Sequence, residues 1–584
     1  MKLLSFSIPL NEQNLGFRSL KPGFSIHFHT LNNVAAMEKF SPFCFAGLNG
    51  SGKSNVLEAL ANIFYHLEIC AARFLPASLR DEKNFKRTEC VVDVFELEYL
   101  IGLKDQPVAG LKDMVKVSIL KASGAEPIMK IQEYPFKKTT RLRPISFTPG
   151  AEHSAPAKSF LPDYVIGYSS GENELLSLPF IKSRLLHLDE YREATKNPVR
   201  LYSEPENSLI YIDSDMSQAV LLACLLFEDD KTLEPLRSED NTGILGLRRF
   251  TIYLTYQQFD FQKDTKNNVF QILEGGNEEP EYKKESIRQV EKLKKCATSW
   301  YGDDEGISLD FFVDDATKQA FKEYFENAFE LFQVFQMFYE LNNHFVKKEM
   351  VEDVYRSKGK YTDWKIPVGS PGDDAFYFLD YYLIKQEKKS KIKFDLLLRD
   401  FSDGEHQFLH TTGICLMLKN KRALLLLDEP ETHFNPSWRA KFIKILNDSI
   451  KYSGAGYNSE TTNIYLYKDV LLTSHSPFII SDCMPDNVIL FERNEAGDVT
   501  AKKVSELENA FNTYGTSVEL ILDRLFNYRQ SIGDLANSEI ENINPENIDS
   551  NEDAESAKEL LRRLGESIEK DMVLARLNRI SLKN

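Results

Sequence analysis

Four short runs of this sequence hold residue types that can act on a polyphosphate. The first is Gly47-Leu48-Asn49-Gly50-Ser51-Gly52-Lys53-Ser54, set between the apolar "PFCFA" and the helix-patterned "NVLEAL". Glycines let a backbone wrap closely enough to aim N–H groups at phosphate oxygens. A helix starting near Lys53 adds roughly half a positive charge at its N-terminus. The spacing G-x-x-x-x-G-K-S between strand and helix fits a triphosphate, with Lys53 reaching the β- and γ-phosphates and the Ser54 hydroxyl ligating Mg²⁺.

The second run, "ALLLLDEPETHFNP", reads as a buried parallel strand whose carboxylates emerge at its C-terminal edge, where open α/β sheets bind ligands. Asp428 would hold the Mg²⁺ shell, and Glu429 would orient or deprotonate a water. In the third, "FSDGEHQF", Ser402 and the backbone at Gly404 sit at an expected helix N-terminus, a second anion site. The fourth, "LLTSHSP", is an apolar strand ending in Thr473-Ser474-His475-Ser476, which places His475 within reach of a γ-phosphate.

The elements that must position these groups are legible as patterns. "LLSFSI" and "FSIHFH" alternate as strands, and "CVVDVFELEYLI", "MVKVSIL" and "IMKIQEY" form an expected antiparallel patch. "DYVIGYSS" and "SLIYID" are strands followed by helical segments, and "FTIYLTYQQFDFQ" is a further strand region. "DDATKQAFKEYFENAFELFQVFQMFYELNN" predicts one buried helix with a capping Asp, because Phe321, Phe325, Phe329, Phe332 and Phe335 recur near helical spacing. The acidic "SEIENINPENIDSNEDAES" predicts a linker, and one or two amphipathic helices follow it.

Composition excludes several classes. No apolar run approaches the ~20 residues of a membrane span, and "MKLLSFSIPL" runs on without a cleavage site, so it predicts a strand and not a signal peptide. Seven cysteines without a C-x-x-C pair argue against zinc and disulfides and fit a reducing cytoplasm. A formal net charge of −17 supplies no basic footprint for nucleic acid, though a dimer could concentrate cations in one groove.

"GLNGSGKSN", including Asn55, "SDGEHQ", "DEPETHFNP" and "TSHSP", in this order, resemble the Walker A, signature, Walker B with D-loop, and H-loop of ABC-type ATPases of the SMC and RecF kind. The resemblance is most specific over residues 1–65 and 395–495. It implies an α/β fold, an ABC-type P-loop NTPase head with a mixed sheet, an antiparallel β subdomain and a large, mainly helical insertion. ATP would be held by Asn49, Gly50, Ser51, Gly52, Lys53, Ser54 and Asn55, and sandwiched by Ser402, Gly404 and Glu405 of a second subunit. Asp403 and His406 stand where the usual signature has Gly and Lys or Arg. Gln218 and Gln257 are both candidates for a Q-loop glutamine at the metal, and Ser170-Gly171-Glu172 reads better as a turn lining that region than as a second signature.

The implied boundaries are a first half of the head at 1–185, an insertion at 186–394, a second half at 395–535, and a linker with C-terminal helices at 536–584. The chain also resembles "AAA family" ATPases of bacterial restriction and anti-phage systems, of the PtuA type. That resemblance implies a cytoplasmic homodimer or higher assembly that controls a separately encoded effector, with an HNH nuclease as one example. A RecF/SMC-like DNA clamp and an OLD-type ATPase carrying its own nuclease are the competing readings.

Overall fold

The computed structural model describes residues 1–581 apart from 138, 151–152, 171–173, 195–207, 256–280, 303–304, 344, 359–373, 388, 455–456, 459, 531 and 544–550. Its centre is a seven-stranded sheet in the order Val499–Lys503, Val488–Arg493, Phe43–Ala46, Lys468–Thr473, Ala423–Asp428, Tyr164–Ser169, Leu209–Tyr211. All neighbours are parallel except the outermost pair at the Val499 edge.

The run Ala423–Asp428 explains why this sheet is central. Every residue in it is buried. Leu424 and Leu426 point into one core while Ala423, Leu425 and Leu427 point into the other, the period-two alternation of a strand covered on both faces. On the first face lies the helix Lys53–Ala71, sandwiched between the central sheet and a six-stranded antiparallel sheet. That second sheet includes Lys2–Ser7, Phe95–Gly102, Met114–Lys121 and Ile128–Glu133, matching the alternating segments read as strands. On the other face lie the helices Asp403–Met417, Ser214–Phe227 and Phe442–Ser453.

Four features differ from what the sequence predicts. The edge strand Leu209–Tyr211 joins the central sheet, so the first half of the head runs past residue 185. The segment expected to be mainly helical also carries a five-stranded antiparallel sheet built around Ile244–Thr255, where Phe250 stacks on Phe311 at 4.4 Å. The long phenylalanine helix is two helices, Asp315–Tyr324 and Ala328–Leu341. Asp314 caps the first, as its position predicts. Asn327 breaks the run and caps the second by accepting from the Phe329 and Glu330 amides.

The fourth difference is the acidic linker, whose described parts are helical, in Asp534–Asn542 and Asn551–Arg562. Ile540, Ala557, Leu561 and Leu577 give these helices and Ile568–Ser581 a small core of their own. None of the described helices is long and apolar enough to cross a membrane, and the seven cysteines are buried and free.

Candidate active site

Strand register brings the four runs to one edge of the sheet. Asp428 lies opposite Thr473 on one side and Ser169 on the other, and Thr473 lies opposite Phe45. The loops that leave these strands therefore start side by side: Gly47–Gly52, Glu429–Asn435, Ser474–Ser476 and the turn at Ser170. This is the C-terminal edge of the parallel strands, the position at which such sheets hold ligands.

The glycine loop is held in its shape by steric contacts at Gly47 and Gly52. Gly47 has φ 139°, and a Cβ there would lie 2.3 Å from the Phe491 carbonyl oxygen; Gly52, at φ 100°, would press a Cβ onto Ser19 Oγ at 2.9 Å. Neither position accepts another residue without rearrangement. Lys53 Nζ donates to the carbonyl oxygens of Gly47 and Leu48 at 3.0 and 3.1 Å, so the ammonium is folded across the loop. Burial draws its pKa down, and the Glu429 and Asp428 carboxylates pull it back up. The buried hydroxyl of Ser51 has no hydrogen-bond partner, an orphan that a phosphate oxygen would satisfy. Asn55 Nδ2 donates to Ser19 Oγ at 2.6 Å, tying the first helical turn to the preceding Phe17–Leu20 bridge. Asn49 and Gly50 are exposed at the loop tip.

Asp428 is the hub. Its Oδ1 accepts from Ser54 Oγ at 2.8 Å and from Thr473 Oγ1 at 2.7 Å, and Thr473 Oγ1 in turn accepts from the Glu429 amide at 2.9 Å. The Ser54–Asp428 bond joins residues 374 apart in sequence. Both side chains suit Mg²⁺, which takes one or two protein oxygens and completes its shell with water and phosphate. Among the described residues no cluster of three or more His, Cys, Asp or Glu could hold a metal by itself. Thr473 opens the "TSHSP" run but has no role assigned from sequence; the structure places its hydroxyl between Asp428 and the Glu429 amide. Its signal is a Thr ending the strand that neighbours the Asp-Glu strand.

Glu429 leaves the sheet with φ 46°, a left-handed conformation costly for a side chain of this size. The twist turns its carboxylate toward His475, whose Nε2 lies 3.4 Å from Oε1. The His475 hydrogen bond, followed by the charges of His475 and Lys53, holds the Glu429 carboxyl below the usual range against the opposing effect of burial. Glu429 is therefore anionic at neutral pH and suited to orienting a water.

Two residues further on, Glu431 is buried, and the Ser474 hydroxyl hydrogen-bonds its Oε1. Burial pushes this carboxyl up to about 7 from an ordinary 4.5. The folded state thus holds a proton that the unfolded chain releases. Its contribution to stability is full below about pH 4.5 and is lost as pH rises through 7, a span worth about 3 kcal/mol. Glu431→Gln is expected to remove this dependence. Thermal melts between pH 5 and 8 should show the wild type losing Tm relative to the variant as pH rises, and parallel curves would contradict the assignment.

The signature run starts the helix Asp403–Met417. Ser402 is its N-cap in a reciprocal capping box with Glu405: Ser402 N and Oγ each lie 3.1 Å from Glu405 Oε2. Lys385, on a strand of the five-stranded sheet, holds the other Glu405 oxygen. Gly404 packs against the D-loop, since a Cβ there would sit 2.8 Å from the His433 carbonyl oxygen, and His433 N donates to Gln407 Oε1 at 3.2 Å. The Asp428 strand is thus linked to the signature helix within one chain. Ser402 itself is exposed, and among the described residues no hydrogen bond joins Ser402, Gly404 or Glu405 to the phosphate loop.

The strand beside Asp428 is Tyr164–Ser169, so the turn at Ser170 borders the site. Ser170 N donates to Asp428 O at 3.2 Å and its hydroxyl to Thr432 Oγ1 at 2.9 Å. Gly171 and Glu172 lie outside the described residues, as does Gln257. Gln218 lies on the helix Ser214–Phe227, which follows the next strand out, and its carbonyl accepts from Tyr381 Oη. No described side-chain bond brings Gln218 to Asp428.

Residues 239–481 match a family described as "AAA domain, putative AbiEii toxin, Type IV TA system". No curated protein matches the chain. Among solved structures it is similar to an SMC head bound to the C-winged helix domain of ScpA, at 10% identity and a TM-score of 0.32, covering 86% of this chain and 98% of that one. It is also similar to an Smc head domain with an extended coiled coil bound to a C-terminal domain of ScpA, derived from Pyrococcus furiosus, at 11% identity and 0.29, covering 86% and 96%. At TM-scores this low, the architecture rests on the strand order above and not on these superpositions. The family match spans the signature, Asp428, Glu429 and His475, and over those residues the chain is similar to an AAA domain of the AbiEii group.

Proposed function

We propose that this chain is an ABC-type ATPase that binds Mg·ATP and closes as a dimer, each copy lending Ser402 and Gly404 to its partner's phosphate loop. The observation that carries this reading is the meeting at one sheet edge of Lys53, the Ser54–Asp428–Thr473 chain and the Glu429–His475 pair. Gly50, Gly52, Lys53 and the unpartnered Ser51 hydroxyl bind the phosphates. Ser54 and Asp428 hold the Mg²⁺, which neutralises developing charge on the phosphates. Glu429 aligns the water, and His475 keeps that carboxylate placed and charged. Little covalent chemistry falls to the protein, so positioning and charge stabilisation do the catalysis.

Ser402 is exposed and caps its own helix, which leaves its hydroxyl available to complete the site of a second copy. Mixing two inactive proteins tests this. Lys53→Ala and Ser402→Arg should each fail to hydrolyse ATP alone, while their mixture regains activity because one intact composite site forms. A mixture that stays inactive overturns the trans arrangement.

On the biological role, we infer a cytoplasmic sensor or regulator in a bacterial anti-phage or restriction-associated system that controls a separate effector, a nuclease of HNH type being the kind expected. Support comes from the sequence likeness to defence ATPases and from the AbiEii toxin description of the matching family. Expressed with its neighbouring genes, the wild type should protect cells from phage and Lys53→Ala should not. Protection unchanged by Lys53→Ala would sink this role.

A further inference from the structure

Away from the phosphate loop, the far half of the helix Lys53–Ala71 walls a cavity of about 310 Å³ together with residues 82–86, 89–91 and 355–358 and Lys182. Asn62, Tyr65 and His66 face it from the helix, nine to thirteen residues beyond Lys53, or about 14–20 Å along the axis. It is therefore separate from the site above but built on the same element.

Its interior has three properties. Tyr65 and Phe85 supply flat apolar walls, with the Phe85 ring 5.4 Å from that of His66. Burial drives the His66 imidazole down to about 3, so it is neutral at physiological pH. Asn62 and Asn84, 2% and 8% exposed, each carry a side-chain carbonyl oxygen without a hydrogen-bond partner. The amide orientations are fixed by the opposite ends, because Asn62 Nδ2 donates to Glu58 O at 2.9 Å and Asn84 Nδ2 to Ser78 O at 2.8 Å. Two buried acceptors that lack donors are unfavourable unless a ligand or water supplies N–H or O–H groups.

The mouth has the opposite charge to the chain. On a protein of net charge −17, Lys83, Lys86, Arg356 and Lys358 surround it, with Glu82 and Glu89 as the acids among the described lining residues. Glu89 is shared by Lys86 at 2.6 Å and Lys358 at 3.1 Å, and Arg356 is paired with Asp353. Lys83 has no carboxylate partner among the described residues. At the back, Lys182 is buried with Nζ donating to the carbonyls of Tyr355 and Ser357.

A flat ligand that donates N–H groups inside and carries negative charge at the mouth satisfies all three features. We propose that this cavity binds one nucleotide unit, its amino-bearing base against Tyr65, Phe85 and the two asparagines and its phosphate at Lys83 and Lys358. The volume suits a single unit. That unit is either a free mononucleotide or the 5′-phosphorylated end of a single strand, since both present the same base and phosphate. Occupancy would bear on the helix that begins at Lys53.

The test uses the full chain with Lys53→Ala, which silences the phosphate loop. The protein is titrated with AMP, CMP, GMP, UMP, a 5′-phosphorylated pentanucleotide and inorganic phosphate. Saturable binding is expected for AMP, CMP or GMP, or for the pentanucleotide, which distinguishes the two sources. UMP, with no amino group, should bind about tenfold more weakly. Lys83→Glu, at an exposed position, and Asn84→Ala should each weaken binding by about tenfold. With Lys53 intact, Lys83→Glu should leave ATP turnover unchanged. No binding by any nucleotide or strand, binding indifferent to both substitutions, or phosphate binding as tightly as the nucleotides would each overturn the proposal.

Discussion

Glu429→Gln is expected to lower ATP turnover by about 10²- to 10³-fold while leaving ATP bound, the size associated with losing a positioned base or water-orienting carboxylate. The expectation follows from where the carboxylate sits. Glu429 comes directly after Asp428 on a buried strand, its backbone is held at φ 46°, and its amide is pinned to Thr473. Glutamine keeps the size and can still meet His475, but it brings no charge and replaces one acceptor oxygen by a donor. The Asp428–Ser54 and Lys53 contacts do not pass through that side chain. Single-turnover hydrolysis and equilibrium ATP titration on the same variant separate the two effects. Turnover at the wild-type rate would show that Glu429 does not align the attacking water.

Lys53→Ala has the other large effect, and it falls on binding. The ammonium lies folded across the loop, donating to two of its carbonyl oxygens, and is the one cation among the residues Gly47 to Asn55. Removing it leaves the triphosphate to backbone N–H groups and a helix N-terminus. A lost charge-assisted contact from the buried Lys53 is worth about 1.5–3 kcal/mol per hydrogen bond, and with contacts expected to two phosphates ATP affinity should fall by at least about 100-fold. Titration with labelled ATP reads it directly. Affinity within a factor of about three of the wild type would show that the loop does not hold the triphosphate in this way.

The meeting of these residues at one sheet edge was largely legible because each of the four runs ends a strand or begins a helix. Lys53 and Asp428 announce themselves by short local spacing, and the five-residue apolar run before Asp428 has the length of a buried strand. What local patterns do not contain is lateral order. Nothing near Ser170 indicates that its strand, and not that of Leu209, lies against Asp428, since the Ser170–Thr432 contact spans 262 residues. The φ of Glu429 and the Lys385–Glu405 contact are equally products of tertiary packing.

Two departures from the sequence pattern have different causes. The break at Asn327 has a local signal, an Asn followed three residues later by Glu330, but phenylalanine periodicity on both sides masks it. The final helices are expected from their amphipathic pattern, but the helical parts of the linker hide among acids because the core they share needs only Ile540, Ala557, Leu561, Leu577 and a few partly buried neighbours.

The central claim is that ATP is enclosed between two copies, and the mass of the Glu429→Gln protein in solution tests it most directly. With saturating Mg·ATP, light scattering after size exclusion should show a dimer, reverting to monomer when nucleotide is omitted or when Lys53→Ala is added. A particle that keeps the monomer mass of 67.1 kDa under saturating Mg·ATP would contradict the account.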